Sequence, residues 1–330
     1  MKIIDCHQDI ILSTLYTTRT DFFRRNKLTD GSNTLALPVN NQTDYFRLRK
    51  GGVHIVFAAV CAFSIDHGKI LPSNQPDIDT YCQINGYHEL VRKSIRSIQV
   101  IRTKTDLESL KQSSIGFVLH VEGADMLARH EDHLNTLFNL GVRSVGLTWN
   151  YKNGLAAGAM TQGGLTQKGK TIIRRMEKLG MLLDLAHLNR KSLRDSLKFV
   201  EKPFILSHAN CKSLYNHPRN IADEELREIK KRGGVVGISG VPEFLGDRPT
   251  LEDLCHHIVH ALEMCGENNV CIGSDFGAMT DSYLIPGFSQ SSDFPTLVMK
   301  LKEKGIPQNT LIKICYKNAL SLLKSVLPLV

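Results

Sequence analysis

The stretch "MKIIDCHQDI" (residues 1–10) decides the fold. An apolar run typical of a buried strand is followed by Asp5, His7 and Asp9 at two-residue spacing. Side chains alternate along a strand, so His7 and Asp9 are delivered together just past its C-terminal end. Asp5 shares that face by spacing but lies deeper, as a supporting or barrel-interior group. A core strand that ends in metal-capable side chains fits an architecture whose chemistry sits at its strand ends.

Seven further short apolar runs follow: "VHIVFAAV" (53–60), "IGFVLHV" (115–121), "RSVGLTW" (143–149), "MLLDLA" (181–186), "PFILS" (203–207), "GVVGIS" (234–239) and "NVCIGS" (269–274). Amphipathic segments lie between them, among them "LTQKGKTIIRRMEKLG" (165–180), "NRKSLRDSLKFV" (189–200), "ADEELREIKKRGG" (222–234) and "TLEDLCHHIVHALEMCG" (250–266). Eight strands alternating with helices predict an α/β protein with a (β/α)8 TIM-like barrel, its metal site at the C-terminal ends of the strands. A doubly wound open sheet is the competitor, but no glycine-rich phosphate loop follows the first strand. The expected organisation is one barrel domain over 1–330. A long insertion after the first strand, about 11–50, is placed over the barrel mouth.

Composition narrows the function classes. The 41 Lys and Arg outnumber 33 Asp and Glu, giving a net charge of +8. They are scattered over predicted helices rather than gathered in one basic run, which argues against nucleic-acid binding. No apolar run reaches the roughly 20 residues needed to cross a bilayer, and the N-terminus lacks the apolar core of a signal peptide. The eight cysteines show no CxxC pair and read as reduced, mostly buried thiols. The expectation is a cytoplasmic protein without membrane or nucleic-acid partners. Whether the barrel forms a homodimer is left open.

The polar residues beyond the strand ends form a consistent set. The first strand offers His7 and Asp9, the third Glu122, the fifth His187, the sixth His208 and the eighth Asp275. A closed barrel brings all of them to one mouth. Imidazole and carboxylate suit zinc and similar divalent ions, and three histidines with three acids can hold two of them. One carboxylate must then bridge, and Glu122, from the middle of the order, is the natural choice. A pair of such ions points to amide or ester hydrolysis. The histidines at 130, 133, 256, 257 and 260 fall within helical segments and read as surface or packing residues.

Several of these motifs together resemble the membrane (renal) dipeptidase family of binuclear zinc peptidases, within the metal-dependent amidohydrolases. "DCHQD" (5–9) is similar to its Asp-x-His-Asn-Asp opening and "HVEGAD" (120–125) to its Glu-Gly motif. "GLTQKGKTIIRRMEKLGMLLDLAH" (164–187) resembles the approach to its Asp-Leu-Ser-His. "PFILSHANCKSLYNHPRNIADEEL" (203–226) resembles its Ser-His followed by Arg-Asn and a helix.

The resemblance implies a dipeptidase with two zinc ions bridged by Glu122 and a hydroxide. His7 and Asp9 would bind one ion, His187 and His208 the other. It further implies that Asp275 orients the water and shuttles its proton, and that Arg219 binds the terminal carboxylate of a dipeptide substrate. Trp149 stands where mammalian members place an oxyanion-stabilising histidine, and Asn150 beside it is a substitute donor; both are assigned to substrate binding. Gly277 replaces a second Asp. Gln8 and Cys6 replace other residues of the opening motif at positions read as tolerant of change. The alternative is the same binuclear centre acting on another small amide, a lactam or a D-amino-acid conjugate.

Overall fold

The computed structural model describes residues 1–17, 19–28, 40–66, 69–277, 279 and 283–330. Its eight main strands are β1 (Ile3–Gln8), β2 (Val53–Cys61), β3 (Ile115–Glu122), β4 (Val142–Gly146), β5 (Leu182–Asp184), β6 (Ile205–Leu206), β7 (Val235–Ile238) and β8 (Val270–Ile272). Each pairs in parallel with the next, and β8 pairs with β1, so the sheet closes into a barrel. The strands are buried along their whole length because helices cover the outside and side chains fill the inside.

Two apolar layers follow from that arrangement. Ile4, Cys6, Ile55, Phe57, Val118, Leu182, Ile205, Val235 and Cys271 make one inner cluster. The last helix, Asn318–Val326, joins it through Ala319, Leu322 and Leu323 and so plugs the end of the barrel opposite the mouth. The larger cluster joins the other strand face to the surrounding helices, for example Val56, Leu119, Val145, Leu183 and Val236 with Ile172, Met176, Leu193 and Ile229. Helices Gln167–Leu179, Arg190–Phe199, Asp223–Lys231 and Leu251–Cys265 occupy the expected amphipathic segments. Among the described residues no helix is long and apolar enough to cross a membrane.

Three short strands lie outside the expected eight. Ile98–Val100 pairs with the start of β3, below the point where β4 takes over that edge. Phe63–Asp66 and Lys69–Pro72 form an antiparallel pair after β2. Of the expected insertion at about 11–50, residues 18 and 29–39 lie outside the described residues. Its Gln42 and Thr43 are buried against the segments around Gln8 and Gly277.

A bulge in β1 alters the reading of the opening stretch. Asp5 pairs with Val56 and Gln8 with Ala58, so three steps of β1 answer two of β2. Simple alternation therefore fails between Cys6 and His7. Cys6 packs in the inner cluster, and His7 next to it also turns into the barrel, 5.3 Å from the His120 ring. Asp5 does not join that face and binds Gln8 and Ser274 instead.

The mouth closes tightly around β6. An ideal Cβ at Gly273 would lie 1.8 Å from the Ser207 carbonyl oxygen, and one at Gly237 2.0 Å from the same atom. Only glycine lets the end of β6 lean inward there, which carries His208 to the centre. Gly273→Ala should therefore cost about 3 kcal/mol of stability through forced backbone movement. Urea denaturation measures this, with the fall expected in the midpoint and not in the slope.

Candidate metal centre and substrate cavity

The six strand-end residues meet at the mouth. His7 Nε2 lies 3.5 Å from Asp9 Oδ2, 3.5 Å from Glu122 Oε1 and 3.6 Å from Asp275 Oδ1. His187 Nε2 lies 2.6 Å from Glu122 Oε1 and 2.8 Å from His208 Nε2, and His208 Nε2 is 3.3 Å from the same Glu122 oxygen. Glu122 is thus the one residue in contact with all three histidines. Asp275 is the most exposed member, at 16% of its side chain.

Burial and mutual charge shift the ionisable groups of the cluster strongly. Burial pushes the Asp9 carboxyl up, and it pushes Asp275 up to about 7. Burial also acts upward on Glu122, but His7 and His187 hold it well below the usual carboxylate range. Burial lowers His7, yet Glu122, Asp9 and Asp275 outweigh that and lift it to about 10. His187 is pushed down to about 4 by burial and by Arg219, and His208 is pushed well down by burial and then by His7.

Two further facts test whether the residues fit a metal. Both His7 ring nitrogens and both Asp9 oxygens are buried without a hydrogen-bond partner, a costly state unless something else binds them. The sets His7–Glu122–His208 and His7–Asp9–Asp275 each bring their donor atoms within 4.8 Å of one another. Imidazole and carboxylate donors in this arrangement fit a divalent ion. The outer ring nitrogens are also engaged: His187 Nδ1 lies 2.9 Å from Asn150 Oδ1, and His208 Nδ1 lies 2.8 Å from Ser207 Oγ.

Local backbone helps aim these groups. His187 and Asp275 are left-handed, each with φ 67°, a conformation L-residues rarely adopt and one that concentrates at functional sites. The His187 carbonyl accepts from Ala159 N–H, and Asn189 just beyond it caps helix Arg190–Phe199 by accepting from Ser192 N–H. Gly277 has φ 105°, and a Cβ there would lie 2.7 Å from the Asp9 carbonyl oxygen. Its glycine is a packing requirement against the backbone of Asp9, beyond the loss of an acid.

A cavity of about 280 Å3 opens from the cluster. Asp9, Glu122, His187 and Asp275 form its floor, and Trp149, Asn150, Arg219 and Phe244 its walls. The Trp149 ring is 6.1 Å from that of His187. Asn150 lines the cavity, but its oxygen is taken by His187. Arg219 is only 5% exposed, its guanidinium sits 5.0 Å from the Phe244 ring, and its Nη2 donates to the His208 carbonyl at 3.3 Å. Its Nε has no partner, and no described carboxylate lies within ion-pair distance.

Sequence reading missed some of the supporting residues. Gln8 reads as tolerant of change from the sequence. It is fully buried, donates to Asp5 at 2.5 Å and accepts from the hydroxyls of Thr43 at 2.7 Å and Ser291 at 3.2 Å. His120 lies beneath the cluster, 3.0 Å from Ser144 Oγ and 3.3 Å from Asp184 Oδ2. Its signal was the two-residue spacing to Glu122 within β3. His257 agrees with the packing reading: it is buried and accepts from Cys211 N–H. Gln8→Ala should lower stability by about 1–3 kcal/mol, because it strands buried partners on Asp5, Thr43 and Ser291. Thermal unfolding checks this; an unchanged melting temperature would restore the tolerant reading.

Comparison with known proteins gives the family. The membrane dipeptidase family (peptidase family M19) matches residues 1–328. The chain is 29% identical over 312 residues to an uncharacterized dipeptidase of Schizosaccharomyces pombe, covering 86% of this chain and 73% of that one. It is 30% identical over 254 residues to a dipeptidase of Clonostachys rogersoniana, covering 75% of this chain and 65% of that one. In fold it is similar to a metallopeptidase of Rhodobacter sphaeroides crystallised with a phosphinate mimic of L-Ala-D-Ala. The TM-score is 0.85, with 23% identity and 99% of both chains covered. With a match along nearly its whole length, the chain belongs to the membrane dipeptidase family.

Proposed function

We infer that the chain is a metal-dependent dipeptidase in which Arg219 binds the substrate carboxylate and Asp275 moves the proton. The observation that carries this reading is a buried guanidinium, without a carboxylate partner among the described residues, in the same small cavity as a cation-demanding cluster. A guanidinium held out of water needs a counter-charge, and a free peptide carboxylate supplies one with bidentate geometry. An amide or lactam without a free carboxylate would leave the Arg219 Nε unpaired, which disfavours that part of the alternative; a D-amino-acid conjugate would still supply the carboxylate.

His7 and Asp9 are the proposed ligands of one divalent ion, His187 and His208 of a second, with Glu122 shared. The ions, zinc in this reading, supply Lewis acidity toward the peptide carbonyl and a water acidic enough to react at neutral pH. Asp275, at the open side of the cluster, takes a proton from the attacking water. It returns the proton to the amine nitrogen as the carbon–nitrogen bond breaks. Asn150 holds the His187 ring, and Trp149 with Phe244 confines the substrate between Arg219 and the cluster. The limited volume suits a dipeptide better than a longer chain.

Two variants test the roles separately. Arg219→Ala should lower kcat/KM for dipeptides about 10–100-fold, mainly through KM, and barely affect the matching dipeptide amides. Equal losses on both would remove the carboxylate assignment. Asp275→Asn keeps the side-chain shape and tolerates the left-handed backbone. It should lose about 100-fold or more in kcat with metal content unchanged; retained turnover would rule out the proton transfer.

A further inference from the structure

Two buried aspartates outside the ligand set accept the same pair of backbone hydrogen bonds. Asp5, on β1, pairs in register with Ile272 of β8, and Asp184, on β5, pairs with Ile205 of β6. In each case the carboxylate reaches two residues further along the neighbouring strand, to a serine. Asp5 Oδ1 accepts from Ser274 N–H at 2.8 Å, and Asp184 Oδ1 accepts from Ser207 N–H at 3.0 Å. The residue after each serine belongs to the centre: Asp275 after Ser274, His208 after Ser207.

The match continues on each aspartate's own strand. The same oxygen accepts from the N–H two residues ahead, His7 for Asp5 at 3.4 Å and Ala186 for Asp184 at 2.9 Å. His7 is itself a proposed ligand, and Ala186 directly precedes His187. Both aspartates are at most 1% exposed. Their second oxygens differ: Ser274 Oγ and Gln8 Nε2 donate to that of Asp5, whereas His120 Nε2 lies 3.3 Å from that of Asp184 without forming a hydrogen bond.

We propose that Asp5 and Asp184 are paired positioning residues, each fixing the backbone of two functional side chains: His7 with Asp275, and His187 with His208. The device explains how His187 and Asp275 are held left-handed, since the peptide N–H just before each is bound to a buried carboxylate oxygen. A backbone strained by about 1–3 kcal/mol persists only where its surroundings over-determine it. Each aspartate thereby governs one half of the centre. The proposal rests on the ligand division given above.

Zinc binding to the metal-stripped full chain, titrated against a chromophoric chelator, separates the two halves without using activity. Wild type should take up two equivalents; fewer would overturn the ligand division and this proposal with it. In Asp184→Ala one equivalent should weaken about 10–100-fold while the other stays within about threefold. In a His208→Ala background, where one equivalent remains, adding Asp184→Ala should leave its affinity unchanged and adding Asp5→Ala should weaken it. Asp184→Asn keeps an oxygen that can accept from Ala186 and Ser207, so it should bind zinc like wild type even if the alanine variant does not fold. Two equivalents bound normally by folded Asp184→Ala, or an Asn variant as impaired as Ala, would overturn the positioning role and leave the ligand division standing.

Discussion

Three carboxylates, from Asp9, Glu122 and Asp275, are held out of water within about 4 Å of His7, and that concentration of buried negative charge is the constraint around which the mouth is organised. Removing a single carboxylate from water costs several kcal/mol unless charge and hydrogen bonds compensate it. The described residues compensate only in part, through histidines and the more distant Arg219. Divalent ions complete the balance, so folding and metal binding are expected to be coupled. A closed barrel suits this demand, because its strands converge on one end while its apolar layers and last helix stabilise the rest.

The supporting residues act on geometry more than on charge. Gly273 and Gly237 let the end of β6 lean inward, and Gly277 lets the chain after β8 pass close against Asp9. Asn150 and Ser207 engage the outer nitrogens of His187 and His208. Gln8, Thr43 and Ser291 lock the segments around β1 to Asp5. The metal-competent atoms are few, but the backbone that aims them is held by a much larger buried network.

Much of this was legible in the sequence because barrels place chemistry at one strand end. His7, Glu122, His187, His208 and Asp275 each follow an apolar run, and that regularity exposed them. Short features were harder to see. Residues 98–100 form a strand only because the start of β3 offers a free edge, and the paired strands Phe63–Asp66 and Lys69–Pro72 carry little hydrophobic periodicity. The β1 bulge was invisible because it is a mismatch with β2, not a property of β1 alone. For the same reason alternation put Asp5 on the face of His7 and Gln8 at a position tolerant of change, although the supporting role read for Asp5 agrees with its bonds. The left-handed His187 and Asp275 also leave no local sign, since neither is a glycine.

The most direct measurement of the central claim is dipeptide hydrolysis by the metal-stripped chain as zinc is added back in counted equivalents. Activity should be absent without metal and rise to a plateau at two ions per chain. Full dipeptide hydrolysis by metal-free protein, or none across L,L- and L,D-dipeptides with two ions bound, would contradict the account.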